Sequence, residues 1–340
     1  MVAAASRPRS QAQAEATRRI RSILTGIGGY LPETVVTNDE LAKTVDTSDA
    51  WIYERTGIRQ RHIAGKHETC ASMATAAARA ALADADVAPG EVDAVILATA
   101  TPDQAFRATA LRVQAELGAK GFGFDLSAAC SGFVYALSVA DAMIRVGQAR
   151  TVLVIGSEVY SRILDWRDRG TCVLFGDGAG AVLLRAGEGD GSGGDRGILS
   201  THLHAQGSLG DILYVDGAVG RPEKPGYLRM NGREVFRHAV TRLSEAVEEA
   251  LAANGLGPAD IDWLVPHQAN LRIIDGIARK LGLGSKRIVI TVDRHANTSA
   301  ASIPLALRAA YEDGRLRRGQ LVLMEALGGG LTWGSALVRL

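Results

Sequence analysis

Three residues far apart in the chain carry side chains that would do chemistry together: Cys130, His267 and Asn297. Cys130 lies in GFGFDLSAACSGFVYAL, which begins at Gly121. That stretch reads as a short strand through Phe124, a tight connection at Ser127, Ala128 and Ala129, and then a helix. Phe133, Leu137, Val139 and Ala140 follow the helical spacing. A cysteine at a helix N-terminus meets unpaired backbone N–H groups and the positive end of the macrodipole, which favour thiolate over thiol. Its small neighbours leave room for a substrate. The competing reading is a small apolar packing residue, the usual role of a free cysteine.

His267 closes the apolar strand Trp263 to Pro266, which places it among polar chemistry at a strand end. Asn297 heads a turn of small residues, where an amide donates a hydrogen bond without titrating. Sulfur plus two such donors suits an acyl thioester and a stabilised oxyanion. A protease-like pair, with His267 as the base for Cys130, uses the same residues and stays open at this point. Gly328, Gly329 and Gly330 would let backbone approach a bound carbonyl, since no Cβ intervenes.

Other candidates carry less. His202 and His204 share one face of an expected strand but have no clustered third ligand, so no metal site is expected. Phe175 to Gly180, FGDGAG, precedes a strand rather than a helix; it lacks the context of a nucleotide loop and reads as a tight turn between strands. Cys70 and Cys172 read as packing residues.

The elements that must position these groups alternate between strand and helix. Ser22 to Thr25 forms a strand that turns at Gly26, Gly28 and Gly29. Asn38 and Asp39 cap one short helix, and Thr47, Ser48 and Asp49 cap a second that carries Trp51 and Arg55. Ala71 to Ala85 is helical, and Val92 to Thr99 and Thr151 to Ile155 are buried strands. This alternation predicts an α/β sheet covered on both faces. Gly187 to Gly197 is Gly/Asp-rich and marks a boundary.

Beyond that boundary the pattern repeats. LADADVAPGEVD (82–93) resembles LAANGLGPADID (251–262), and Val152 to Ile155 resembles Leu321 to Met324, both at a separation of 169 positions. DLSAACS faces DRHANTSAAS between these anchors, and GAGAVLLR matches WGSALVRL at the ends. Two copies of one unit, 21–190 and 191–340, would bring corresponding loops together, with Cys130 opposite Asn297 and one site between the halves.

Composition sets the outer limits. The 340 residues are 47% hydrophobic, enough for a substantial core. With 38 basic and 37 acidic residues the net charge is +1, which gives no global basic face for nucleic acid or membrane. Three widely spaced cysteines fit neither a disulfide framework nor a zinc site and point to a reducing, cytoplasmic compartment. No stretch reaches the roughly 18 apolar residues of a membrane span. Residues 1–20 lack the apolar core of a secretory signal and read as a disordered leader; their Arg, Ser and Ala content, with Glu15 the one acid, leaves an organellar transit peptide open.

At AACSGF, VPHQANLRI, HANTSAAS and EALGGGLTWGSALVR the chain resembles the β-ketoacyl-acyl-carrier-protein synthases III, as it does at DTSDAWIYERTGIRQRHIA and DRGTCVLFGDGAG. The resemblance covers Ile23 to Leu340. It implies the thiolase-like fold, a duplicated five-layer α/β/α/β/α arrangement. It also implies the initiating condensation of type II fatty-acid synthesis, in which an acyl-CoA, with acetyl-CoA the expected primer, meets malonyl carrier protein. CoA thioester is then a substrate and no cofactor is permanently bound.

Carried over by motif, Cys130 resembles the acyl-accepting nucleophile, and His267 and Asn297 the pair that stabilises the enolate left by decarboxylation. The oxyanion hole would use backbone N–H groups of Cys130 and Gly329. Trp51 and Arg55 match positions that clamp the CoA adenine. Thr56, Arg169, Gly170, Gly232, Phe236, Ala269 and Asn270 match the pantetheine route. Arg237, Gln268, Arg272, Arg279 and Lys280 fall where the family meets its acidic carrier protein, by steering more than by affinity. Phe106 matches an aromatic that enters the acyl pocket of the partner in a homodimer.

Three positions depart from the family pattern: Arg107 replaces an expected proline, Leu327 a frequent phenylalanine and Arg233 a small polar residue. A same-fold acyltransferase using a hydroxyl or amine acceptor would share Cys130 without decarboxylation. A degradative thiolase would need a second cysteine near Leu327, and a silent scaffold would lack the trio.

Overall fold

The computed structural model describes residues 19–217, 223–224 and 226–340. The expected leader therefore lies outside the described residues except for Arg19 and Ile20, which open the first strand. Strands β1 (Arg19–Tyr30), β4 (Ala94–Ala98), β5 (Phe122–Leu126), β6 (Thr151–Val159) and β7 (Asp177–Gly189) form one sheet in the order β1-β7-β6-β4-β5. The second sheet runs β11-β12-β13-β8, from β8 (Gly197–Ala205), β11 (Trp263–Pro266), β12 (Leu321–Gly328) and β13 (Thr332–Arg339). The shared order matches β1 to β8, β7 to β13, β6 to β12 and β4 to β11. A parallel bridge from Ile288 to Leu264 stands where β5 pairs with β4. Small ribbons, β2 (Val35–Thr37) with β3 (Gln60–His62) and β9 (Leu213–Val215) with β10 (Leu228–Met230), flank the sheets.

The helices form three layers around the two sheets, five layers in all. Helices α1 (Asn38–Leu41) and α2 (Asp49–Thr56) carry the N-terminal excursion. Helices α3 (Cys70–Asp84) and α4 (Thr109–Leu117) cover the outer face of the first sheet in one apolar cluster. Helices α5 (Gly132–Arg145) and α9 (Ser302–Glu312) lie between the sheets, where Phe133, Leu137, Ile303 and Leu307 join Val154 and Met324 in the central core. Helices α6 (Gly232–Ala253) and α7 (Leu271–Leu281) cover the second sheet; α8 (Val292–His295) is a single turn before Asn297. Among the described residues no helix is long and apolar enough to cross a membrane.

Three local expectations change. Gly26, Gly28 and Gly29 do not turn the chain; β1 runs on to Tyr30 with one irregularity between Leu24 and Gly26. Gly26 and Gly28 instead let α3 lie against the strand, because a Cβ on Gly28 would fall 2.1 Å from Ala77 O and one on Gly26 2.2 Å from Ala81 O. Gly178 and Gly180 likewise belong to β7 rather than to a turn, with Gly180 facing Pro304 of α9. Thr37, not Asn38, caps α1, through a capping box with Glu40. Asn38 turns inward and accepts from the buried Arg61 guanidinium at 2.9 Å, and Arg61 also donates to Val173 O at 2.8 Å. The second cap falls at Ser48, inside the expected trio.

Candidate active site

Cys130 leaves β5 through Ala128 and occupies the 3-10 turn Ala129–Ser131 that leads into α5. Ala129 sits at φ +46°, and Ser299 at φ +51° opens the corresponding turn, Ser299–Ala301, before α9. Such a backbone costs a non-glycine residue about 1–3 kcal/mol, held here by the packed layers around it. Gly328, at the end of β12, closes the site from a third side: a Cβ there would lie 2.6 Å from Cys130 N and 2.9 Å from Ala128 O. Thr332 of β13 adds a stitch, donating to Ala128 O at 3.0 Å and accepting from Ser131 at 2.8 Å.

Cys130, His267 and Asn297 then line a single cavity of about 540 Å³. His267 follows β11, its N–H donating to Glu325 O at 2.8 Å, and its Nδ1 lies 2.6 Å from Ser302 Oγ on α9. Burial lowers its pKa to about 3, so the ring is neutral. Asn297 Oδ1 accepts from Ser299 N–H at 2.9 Å, which leaves Nδ2 as the donor end of the amide. Cys130 and Gly329 both border a smaller cavity of about 200 Å³ that runs on past Tyr160 and Phe175.

The thiol itself differs from expectation. Burial pushes the Cys130 pKa up to about 11; hydrogen bonding from Ser299 pulls it down, nearby Glu158 pushes it up, and Tyr160 pulls it down again. The net rise disfavours the thiolate by roughly 3 kcal/mol, with loss of water from the sulfur its largest cause. A helix N-terminus offsets only about 1 kcal/mol of that. The resting nucleophile is therefore a thiol, and the helix alone does not ionise it.

At the mouth, Arg55 and Arg169 flank the Trp51 ring at 4.6 and 5.1 Å from its centroid. An aromatic plate between two guanidiniums suits a flat heterocycle carrying phosphates. The chain matches the family described as 3-oxoacyl-[acyl-carrier-protein (ACP)] synthase III over residues 124–207 and that family's C-terminal part over 251–340. The β-ketoacyl-[acyl-carrier-protein] synthase III of Acidiphilium cryptum is 68% identical over 320 residues, 94% of this chain and 99% of that protein. That of Granulibacter bethesdensis is 67% identical with the same coverage. The crystal structure of the 3-oxoacyl-[acyl-carrier-protein] synthase III from Aquifex aeolicus superposes with a TM-score of 0.88 at 48% identity, covering 94% of this chain and all of that one. The chain belongs to the β-ketoacyl-[acyl-carrier-protein] synthase III family.

It is thus a condensing acyltransferase with the thiolase fold. In this synthase Trp51, Arg55, Thr56, Arg169 and Gly170 reach the large cavity from the first half of the chain. Gly232, Phe236, Ala269, Asn270 and Leu327 reach it from the second. Arg272 lies over the Phe236 ring at 6.0 Å and also lines the cavity, so it stands at the mouth rather than on a remote face. Arg237, Arg279 and Lys280 are exposed, although Arg237 is paired with Glu234. Phe106 is 94% exposed on the loop before α4.

Gln268 is a correction. It is 1% exposed, donates to Pro266 O and Val289 O, and accepts from Thr291 N–H and Val292 N–H. With both ends of its amide engaged inside the fold it cannot meet a carrier protein; it braces the strand end that holds His267. His202 and His204 face Glu249, at 3.3 and 2.6 Å. Sequence reasoning missed Ser302, Ser299, Tyr160 and Glu158. The one available signal was the repeat, which sets the serine-rich stretch after Asn297 against the cysteine turn.

Proposed function

We propose that this cavity performs the initiating condensation of fatty-acid synthesis with Cys130 as acyl carrier. Cys130 takes the acyl group from acyl-CoA, acetyl-CoA being the proposed primer, as CoA leaves. Malonyl carrier protein then enters, loses CO2, and leaves an enolate that attacks acyl-Cys130 to form the 3-oxoacyl carrier protein. Decarboxylation creates the carbanion, so no strong base is needed. The observation that carries this reading is the meeting of Cys130 with two uncharged donors, His267 and Asn297, in one buried cavity. Neutral donors stabilise a developing enolate oxygen without first forming an ion pair with the malonyl carboxylate. Backbone N–H groups of Cys130 and Gly329 serve the acyl oxygen in the same way.

The Trp51 clamp holds the CoA adenine, and the pantetheine follows the cavity inward past Phe236 and Asn270. Arg272, Arg279, Lys280 and Arg237 steer the acidic carrier protein. The chain acts as a homodimer, supported by Phe106: leaving that ring in water costs about 2 kcal/mol, which a second copy recovers by covering it. A cytoplasmic location fits three free cysteines. The two halves are proposed to be copies of one unit divided near residue 190, supported by the shared strand order.

Radiolabelled acetyl-CoA tests the reading. Thioester-linked label is expected on Cys130 and absent from Cys130→Ser, and adding malonyl carrier protein is expected to release CO2 with transfer of the label. A wild-type chain that takes no label, or that transfers it without CO2, refutes the reading.

A further inference from the structure

Asn297 presents Nδ2 to the cavity while its Oδ1 is held, and what holds it lies outside the trio. The Asn297 backbone is fixed from one side. Its N–H donates to Leu174 O and its own O accepts from Gly176 N–H, each at 3.0 Å, around a parallel bridge to Phe175. The side chain is fixed from the other side, by the Ser299 N–H at 2.9 Å. That N–H belongs to a residue at φ +51°, a conformation a serine keeps only where its surroundings impose it. Ser299 has no exposure, and its hydroxyl donates to Tyr160 Oη at 3.0 Å.

Tyr160 follows β6 in the 3-10 turn Tyr160–Arg162. It is 4% exposed, its ring stacks on Phe175 with centroids 5.0 Å apart, and Leu164 and Leu228 join the two in a small apolar cluster. One ring thus reaches Asn297 from two directions. Its face lies on the residue bridged to the Asn297 backbone, and its hydroxyl holds the residue whose N–H holds the Asn297 amide. Burial pushes the Tyr160 pKa well above the ordinary 10, so the phenol remains a neutral hydroxyl.

The proposed duplication accounts for the placement. Positions 130 and 299 are 169 apart, as are 160 and 329. Tyr160 therefore stands to Ser299 as Gly329 stands to Cys130, the pair that borders the small cavity. In one half the position is a glycine that leaves room beside the sulfur. In the other it is a phenol that grips the serine standing in the sulfur's place.

We propose that Tyr160 is a positioning residue for the decarboxylation: its hydroxyl, through Ser299, fixes the Asn297 amide with Nδ2 toward the enolate oxygen. The two ends of an amide exchange places by a half-turn, and the turned amide would set an oxygen lone pair against the developing negative charge. The Ser299 N–H selects the productive orientation for as long as the strained turn is held. Tyr160 touches no reacting atom in this step and acts through Asn297 alone.

This inference rests on Asn297 serving the decarboxylation, and its test separates the two half-reactions. Tyr160→Phe keeps the ring, the Phe175 stack and the cavity wall and removes only the hydroxyl. In the full chain, acetyl transfer from acetyl-CoA to Cys130 is measured apart from CO2 release when the acetylated enzyme meets malonyl carrier protein. In Tyr160→Phe the kcat for CO2 release is expected to fall about tenfold with the KM for malonyl carrier protein unchanged, because a misoriented donor loses transition-state contact rather than binding. Acetyl transfer is expected to match wild type, which also reports that the variant is folded. Ser299→Ala is expected to slow CO2 release to the same degree, and the double variant no more than either single one. In an Asn297→Ala chain, Tyr160→Phe is expected to change nothing further. Equal losses in both half-reactions, an additive double variant, or CO2 release at the wild-type rate each overturn the proposal. A wild-type chain that takes label and releases no CO2 overturns the condensation reading and this inference with it. A wild type that does both while Tyr160→Phe matches it overturns this inference alone.

Discussion

His267 Nδ1 lies 2.6 Å from the hydroxyl of Ser302, a residue of the helix layer between the sheets whose hydroxyl also accepts from Gln268 N–H at 3.3 Å. The tautomer in which Ser302 donates to Nδ1 carries the ring proton on Nε2. The imidazole is then a donor toward the cavity, the form an enolate oxygen requires. Ser302→Ala leaves Nδ1 buried without its partner, worth about 1–3 kcal/mol. Malonyl decarboxylation should fall about tenfold or more while acetylation of Cys130 from acetyl-CoA stays near wild type. Equal losses in both half-reactions would show that Ser302 does not act through His267.

The Trp51 clamp makes a prediction about binding alone. Removing the ring in Trp51→Ala deletes its contacts with Arg55 and Arg169, each worth about 1 kcal/mol where partly desolvated. The KM for acyl-CoA should rise about tenfold with kcat nearly unchanged, since the clamp holds substrate and transition state alike. Steady-state kinetics at varied acyl-CoA checks this, and a fall in kcat would place the ring in the chemistry instead.

Gly328 meets the backbone of the nucleophile closely enough to be tested by one methyl group. In Gly328→Ala the new Cβ would press on Cys130 N and Ala128 O, at 2.6 and 2.9 Å in the native backbone. Overpacking of this kind costs about 1–3 kcal/mol, and the relief available is to move the Cys130 turn. The labelled-acetyl assay should show at least a tenfold slower acylation, accompanied by a lowered Tm.

Glu325 gives the fold a pH dependence of definite sign. It is fully buried on β12, both carboxyl oxygens lack a hydrogen-bond partner among the described residues, and burial raises its pKa to about 8. Between the unfolded value near 4.5 and 8, the folded chain keeps a proton that the unfolded chain has released. This contribution is fully present below about pH 4.5 and is lost as pH rises toward 8, by at most about 1.4 kcal/mol per pH unit. Glu325→Gln should remove that slope, so its Tm relative to wild type should climb between pH 7 and 8.5. His267, lowered to about 3, has the opposite slope and acts only below its unfolded value near 6.5, outside that window.

Much of this molecule was legible in the amino-acid order because hydrophobic periodicity and duplication are local or repetitive properties. The separation of 169 positions sets Ser299, two residues after Asn297, opposite Cys130, and the apolar run ending at His267 marks a strand that delivers a side chain to the same layer. Glycines were less legible. Gly26, Gly28, Gly178 and Gly180 look like turns in one dimension, yet they serve close approach to helices from distant parts of the chain, which spacing does not encode.

The sequence by itself determined the two-copy α/β architecture and the trio Cys130, His267 and Asn297. Only the tertiary structure decided the protonation of Cys130 and His267. Desolvation depends on every layer packed around a group, so burial makes Cys130 a thiol where helix position alone suggested a thiolate. The same packing turns Gln268 inward, brings Ser302 to His267, and joins the Ser299 hydroxyl to Tyr160. These pairings join residues tens to hundreds of positions apart, and they exist only once the two sheets have closed over the helices between them.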